Sequence, residues 1–177
     1  CTSLRIVQHD DDRDEREFSP LVSAIEELAP GVQVYRPGMC GLRIRGPARY
    51  YGGEGSAAQT LRDALLSHGL QDVRAGVADG PFTAEQAARA AAPMLIVPPG
   101  ASAAFLAPLP VTALDEELAD MLARLGLHTL GDFAALEVSQ VRARLSERGA
   151  WLHALASGAD SRPVQPRIPP PELERSL

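Results

Sequence analysis

The sequence contains no lysine. All seventeen basic residues are arginine, and alanine is abundant, a bias that reads as GC-rich coding rather than as a mechanism. Cysteine is scarce too: Cys1 and Cys40 supply neither a paired metal motif nor a disulfide framework. A reducing, cytoplasmic compartment is the expectation. An excess of positive charge is missing, since the formal net charge is −6; binding to nucleic acid by bulk electrostatics needs a basic face, so any such contact must be local. Long apolar runs are interrupted as well. Residues 90–114 carry no charge and would be long enough for a bilayer, but Pro93, Pro98, Pro99, Pro108 and Pro110 break them, which excludes a membrane segment. The chain opens on Cys with no basic-then-apolar leader, so it reads as an excised part of a longer protein rather than a secreted precursor.

What is present is organised around residues 32–46, VQVYRPGMCGLRIRG. Val32 and Val34 alternate before Pro37-Gly38, and Leu42 and Ile44 alternate after it, predicting two strands joined by a tight turn. The segment holds Arg36, Arg43 and Arg45 and no acid. On a strand, Arg43 and Arg45 would share the face opposite the core, with Arg49 close by. That face reads either as solvated surface or as a contact for template DNA or an acidic partner.

The rest predicts a mixed α+β chain of ordinary composition, 45% hydrophobic and 23% charged. A strand is expected at residues 4–7, and the acidic run from Asp10 leads into a helix carrying Phe18, Leu21, Val22, Ile25 and Leu28 and stopped by Pro30-Gly31. Gly52-Gly53-Glu54-Gly55 reads as a connector, with Ser56 capping a helix that ends at His68-Gly69. Next come a strand at 73–78, a helix capped by Thr83, and an apolar strand at 94–97. This order predicts a ferredoxin-like sheet with helices on one face. After Gly100 only helices are expected, at 101–106, 115–125, 130–135, 138–145 and 149–156. Among them, LARLGLHTLGDFAAL turns at Gly126 and Gly131; such a unit can hold a DNA phosphate on backbone amides or serve only as packing. Residues 100–163 hold eight acids against five arginines, a poor electrostatic match to DNA. Trp151, with Leu152 and Leu155, is expected in the core. His9, His68, His128 and His153 are scattered without zinc-ligand spacing, and neither a nucleophile elbow nor a Walker sequence occurs. The proline-rich stretch from Ser161 is expected to be an extended, loosely ordered tether.

Taken together, the runs IVQHD, VQVYRPGMCGLRI, VRAGVADGPFTAEQAARAAAPMLIVPPG, FLAPLPVTALDEELADMLARLGLHTLGDFAAL and WLHALASGADSRPV resemble the palm and thumb of Y-family translesion DNA polymerases, specifically the ImuB branch found in actinobacteria and other bacteria. The resemblance implies three parts: residues 1–100 a palm-like domain lacking its fingers and first strand, residues 101–162 a helical thumb with a helix-hairpin-helix-like unit, and residues 163–177 a linker toward a little finger. Active members read approximately S-I-D-E-A-Y-L-D where this chain reads RPGMCGLR from Arg36, so the acidic pair falls on Gly38 and Met39, and the resemblance implies no magnesium site and no polymerase chemistry. A lysine that members often carry after residue 85 is replaced by Ala90-Ala91-Ala92-Pro93. The usual P-G-I-G thumb turn is Thr112-Ala113-Leu114-Asp115, which obstructs close backbone approach and puts Asp115, Glu116 and Glu117 where a phosphate would sit.

The expected function is a non-catalytic scaffold in damage-induced (SOS) mutagenic translesion synthesis, cytoplasmic and nucleoid-associated when active, needing no cofactor. Implied partners are an error-prone replicative-type polymerase subunit, a RecA-like accessory protein and, through parts outside this chain, the sliding clamp. The residues open to DNA or partner contact are Arg36, Arg43, Arg45, Arg49, Gly126 and Gly131, with a weak primer–template contact among the options. The alternatives are an active translesion polymerase whose metal site is completed elsewhere and a DNA-binding module without an assembly role.

Overall fold

A computed structural model describes residues 10–90 and 92–168. The first helix, α1 (Asp11–Leu28), starts where the Asp10 carboxylate accepts the Arg13 N–H at 3.0 Å. Asp11, Asp12 and Asp14 complement the positive end of its dipole. It closes at Ala29, just ahead of Pro30-Gly31, as the apolar periodicity predicts. Strands β1 (Gln33–Arg36) and β2 (Met39–Gly41) form an antiparallel hairpin pairing Gln33 with Gly41, Val34 with Cys40 and Arg36 with Met39, so that Tyr35 bulges. Gly38 sits in the turn at φ +82, a conformation that Pro followed by Gly satisfies without steric cost.

Beyond Gly41 the structure departs from the expected second strand. Arg45 opens a helix, α2 (Arg45–Tyr51), so Arg43 and Arg45 do not lie on one strand face. The reason is register: β1 begins at Gln33, opposite Gly41, and leaves later residues no ladder partner. Pro47 suits a helical first turn, where its missing N–H is no loss. After the left-handed Gly52, α3 (Glu54–Ser67) begins two residues before the expected Ser56 cap, with Gly53 as its N-cap, and ends at His68-Gly69 as predicted. Val22, Ile25 and Val32 form a small core between α1, α3 and the hairpin, with Phe18, Cys40, Leu42, Leu61 and Leu65 packed against it.

The next unit is β3 (Ala75–Val77), α4 (Pro81–Arg89) and β4 (Met94–Ile96), the two strands pairing in parallel through a helical crossover. Among the described residues β1-β2 and β3-β4 remain separate two-stranded sheets rather than one ferredoxin-like sheet. The strand expected at residues 4–7 lies outside the described residues, as do Ala91 and the tail from 169. Thr83 does not cap α4. The helix starts earlier, at Pro81, and Thr83 is fully buried inside it.

The remainder is helical: α5 (Ser102–Leu106), a 3-10 turn at Val111–Ala113, α6 (Glu116–Arg124), α7 (Leu130–Ala134) and α8 (Val138–Ala156). The span α8 is broken at Ser146, a non-glycine residue at φ +62 with non-helical backbone, and so comprises two helical segments where two helices are expected at 138–145 and 149–156. Leu106, Leu122, Leu130 and Phe133 are sealed in its core, at 0–1% exposure, and Phe82 reaches into the same cluster from α4. Burying each such side chain contributes about 1.5–3 kcal/mol. No helix of the described residues is long and apolar enough to cross a membrane.

Of the proline-rich segment, the described residues 161–168 are tied down rather than loose. They run back over the first unit: Arg167 N–H donates to Val32 O at 2.8 Å and Gln165 N–H to Gln33 Oε1 at 2.8 Å. The Arg167 guanidinium also grips Glu26, at 2.7 and 3.0 Å, and Ser23 Oγ. Proline removes amide donors but leaves intervening residues extended, which suits a strap laid along a strand edge.

Candidate functional site

The β1-β2 turn presents the positions that the sequence singles out. Gly38 has open space around it, with nothing within 4 Å of where a side chain would begin, and Met39 is half-buried. Arg36, at the end of β1, donates from Nη2 to Glu85 Oε1 at 3.2 Å. Glu85 stands on α4 and receives a second guanidinium from Arg89, one turn on, at 2.7 Å. The carboxylate beside the turn is therefore held between two arginines. Among the described residues no group of three or more His, Cys, Asp or Glu is arranged to hold a metal ion.

Next to this turn lies a node that the sequence did not reveal. The Asp160 side chain is 1% exposed, and one of its oxygens accepts the Phe82 N–H at 2.9 Å, capping α4 from a residue 78 positions away. Arg162 closes on the same carboxylate through Nε and Nη2, both at 2.8 Å. Burial works to raise the Asp160 pKa, but the hydrogen bonds from Arg162 and from the Phe82 N–H outweigh it and hold the group below the ordinary aspartate range. The Arg162 guanidinium in turn lies 5.5 Å from the centre of the Trp151 ring. Trp151 is 45% exposed, against expectation, while Leu152 and Leu155 are buried as expected. The buried stripe of α8 runs through Leu152, Leu155 and Ala156 and leaves Trp151 at its margin.

The other arginines are placed apart. Arg43 precedes α2, and Arg45 and Arg49 stand one turn apart on it; all three are exposed, as is Tyr50. No ion pair holds any of these three arginines among the described residues.

In the helical part after β4, Gly126 closes α6 at φ +79. Gly131 lies in the first turn of α7, where the amides are already committed: Leu130 to Leu109 O, Gly131 to Ala107 O and Asp132 to Thr129 Oγ1, at 2.8, 3.0 and 3.1 Å. Asp132 accepts the Thr129 and His128 N–H groups in return, bonds that pull its pKa down. A side chain at position 131 would begin 3.0 Å from Ala107 O, so the glycine is explained by close packing on α5. Asp115 is likewise a structural group. It caps α6 through the Leu118 N–H at 2.9 Å and pairs with Arg148 across the groove between α6 and α8. The Leu118 bond leads the causes that hold its pKa down.

No family model matches the sequence. Curated relatives include DNA polymerase IV of Halobacterium salinarum, 40% identical over 85 residues, which are 46% of this chain and 21% of that protein. Protein ImuB of Caulobacter vibrioides is 31% identical over 168 residues, 94% of this chain and 36% of that protein. The crystal structure of DinB from Sulfolobus solfataricus superposes with a TM-score of 0.73 at 19% identity, over 89% of this chain and 48% of that one. The chain is a Y-family polymerase-like protein of the ImuB type. It spans between a fifth and two fifths of the curated relatives' length, and about half of the solved DinB chain.

For a Y-family chain the hairpin turn is where two carboxylates are expected to hold magnesium. Here the residues do not fit that ion. Gly38 offers no side chain, the Met39 thioether is a soft ligand, and magnesium demands hard oxygens. Glu85, the acid that Arg36 reaches, is engaged by two guanidiniums. Of the positions that matter, Glu85, Asp160 and Arg162 escaped the sequence reading, and Trp151 was expected in the core but is exposed. The only local hint was the close pairing of Asp160 with Arg162 after a helix.

Proposed function

We propose that this chain is the palm and thumb of a non-catalytic Y-family protein that acts as a scaffold in damage-induced mutagenic translesion synthesis. The division near Gly100 into palm and thumb, followed by a linker, belongs to this reading. The observation that carries it is the hairpin turn: the two positions of the acidic pair are Gly38 and Met39, and the flanking Arg36 is turned onto Glu85. An arginine there repels the divalent cation that polymerase chemistry needs and neutralises the Glu85 carboxylate it pairs with.

The partners proposed are those of the ImuB branch: an error-prone replicative-type polymerase subunit, a RecA-like accessory protein and, through segments outside this chain, the sliding clamp. Direct contact with primer–template DNA is weak in this reading. The amides of α7 are consumed internally, and the net charge is −6. Nucleoid association during damage follows from the partners rather than from DNA affinity of the chain.

Primer extension by the full-length protein, with magnesium or manganese, tests the reading alongside binding to a primed template over a salt series. No extension, with weak DNA binding that salt readily abolishes, is the expected result. Extension that disappears in Glu85→Gln would overturn it, because a working carboxylate would then have been found.

A further inference from the structure

Beside the hairpin turn, exposed aromatic side chains and arginines share one surface. Trp151 and Tyr35 are 45% and 37% exposed. Arg162 covers the Trp151 ring, and Arg162, Tyr35 and Glu85 lie within electrostatic reach of one another. Arg36 and Arg89 extend the patch on either side of Glu85. Tryptophan, tyrosine and arginine are the side chains that carry most binding energy at protein interfaces. Here they are also ordered in advance: Asp160 fixes Arg162 with two bonds, Arg162 covers the indole, and Glu85 holds two arginines. Little rotamer entropy is left to lose on binding.

Charge distinguishes a protein from a nucleic acid as occupant. Each guanidinium of the patch already faces a carboxylate, with Arg36 and Arg89 on Glu85 and Arg162 on Asp160. Three positive charges against two negative leave a nearly neutral surface. A phosphate backbone gains affinity by replacing counterions with free cations, and the arginines of the patch are all in ion pairs, whereas those without one among the described residues include Arg43, Arg45 and Arg49, in and just before α2. A neutral aromatic surface rimmed by guanidiniums suits a polypeptide.

We propose that the face formed by Trp151, Arg162, Tyr35 and Arg36 docks a protein partner that sets an apolar side chain against the Trp151 ring and a carboxylate against Arg36 or Arg89. This rests on the scaffold reading and names the surface through which it works. The full-length protein is titrated with each of the two protein partners named above, the polymerase subunit and the RecA-like protein, and separately with labelled oligo-dT. The variants are Trp151→Ser, Trp151→Phe and Arg36→Glu. Trp151→Ser is expected to weaken at least one protein partner about tenfold or more, as loss of a hot spot does. Trp151→Phe keeps most of the affinity, Arg36→Glu repels the same partner, and oligo-dT binding stays unchanged. Wild-type affinity for both proteins in Trp151→Ser and Arg36→Glu overturns the docking face while leaving the scaffold intact. A loss confined to oligo-dT overturns it in favour of a base-stacking platform. Failure of the unmodified protein to bind either partner removes the scaffold and the docking face together.

Discussion

Replacing Asp160 by alanine removes one carboxylate that serves two partners. The cap on α4 is lost, leaving the Phe82 N–H without its acceptor, which costs about 1 kcal/mol. The bidentate bond to Arg162 is lost as well. A charged hydrogen bond of this kind contributes about 1.5–3 kcal/mol, and roughly half of that applies here because the Arg162 side chain is 48% exposed and partly screened. The sum is about 2–2.5 kcal/mol, which for a chain of this size lowers the thermal midpoint by ~4–10 °C. Urea unfolding of Asp160→Ala and Asp160→Asn against wild type measures it, with Asn expected to lose about half as much because it keeps one oxygen for the Phe82 N–H. The pH dependence fixes the cause. The Asp160 pKa is lowered on folding, so its contribution is fully present above the unfolded value, about 3.9, and disappears as pH falls through the folded value. The gap between wild type and Asp160→Asn should therefore be flat near neutrality and close under strong acid. An Asp160→Ala variant within about 0.5 kcal/mol of wild type, the range of an ordinary surface change, would refute the idea that this carboxylate ties α4 to the chain after α8.

Two further expectations concern Gly131 in the first turn of α7 and the described cysteine. Gly131→Ala places a methyl 3.0 Å from Ala107 O, whose acceptor role it disturbs; chemical denaturation should show a loss of about 1–2 kcal/mol, with no change in DNA affinity by fluorescence anisotropy. A selective loss of DNA binding in a stable variant would restore the phosphate-clamp reading. Burial pushes the Cys40 thiol up to about 11, so in a Cys1→Ser background it should resist thiol reagents at neutral pH until the protein unfolds. Since its pKa is raised on folding, the stability it contributes is complete below the unfolded value and is lost as pH rises from 9.0 toward about 11. Rapid labelling of the folded protein at neutral pH would contradict that burial.

The sequence alone determined the local elements and the vacancy at the turn. A run such as Phe18, Val22 and Ile25 at helical spacing, stopped by Pro30-Gly31, needs only short-range sterics and solvent to become α1, and Pro37-Gly38 needs only its own dihedral preferences to become a turn. The absence of acids at Gly38 and Met39 is equally plain in one dimension. Register was not legible in this way: whether residues 42–45 continue a strand depends on where β1 begins, and β1 is too short to pair them, so Arg45 turned into a helix. The committed amides of Gly131, the strap from Arg167 to Glu26 and the capping of α4 by Asp160 join residues separated by 24, 141 and 78 positions. Composition carries no trace of such pairings, because a donor's partner is chosen by packing of the whole chain. For the same reason Trp151 could be assigned to a helix from its neighbours but not to a face. Only the tertiary structure turned it outward, beneath an arginine.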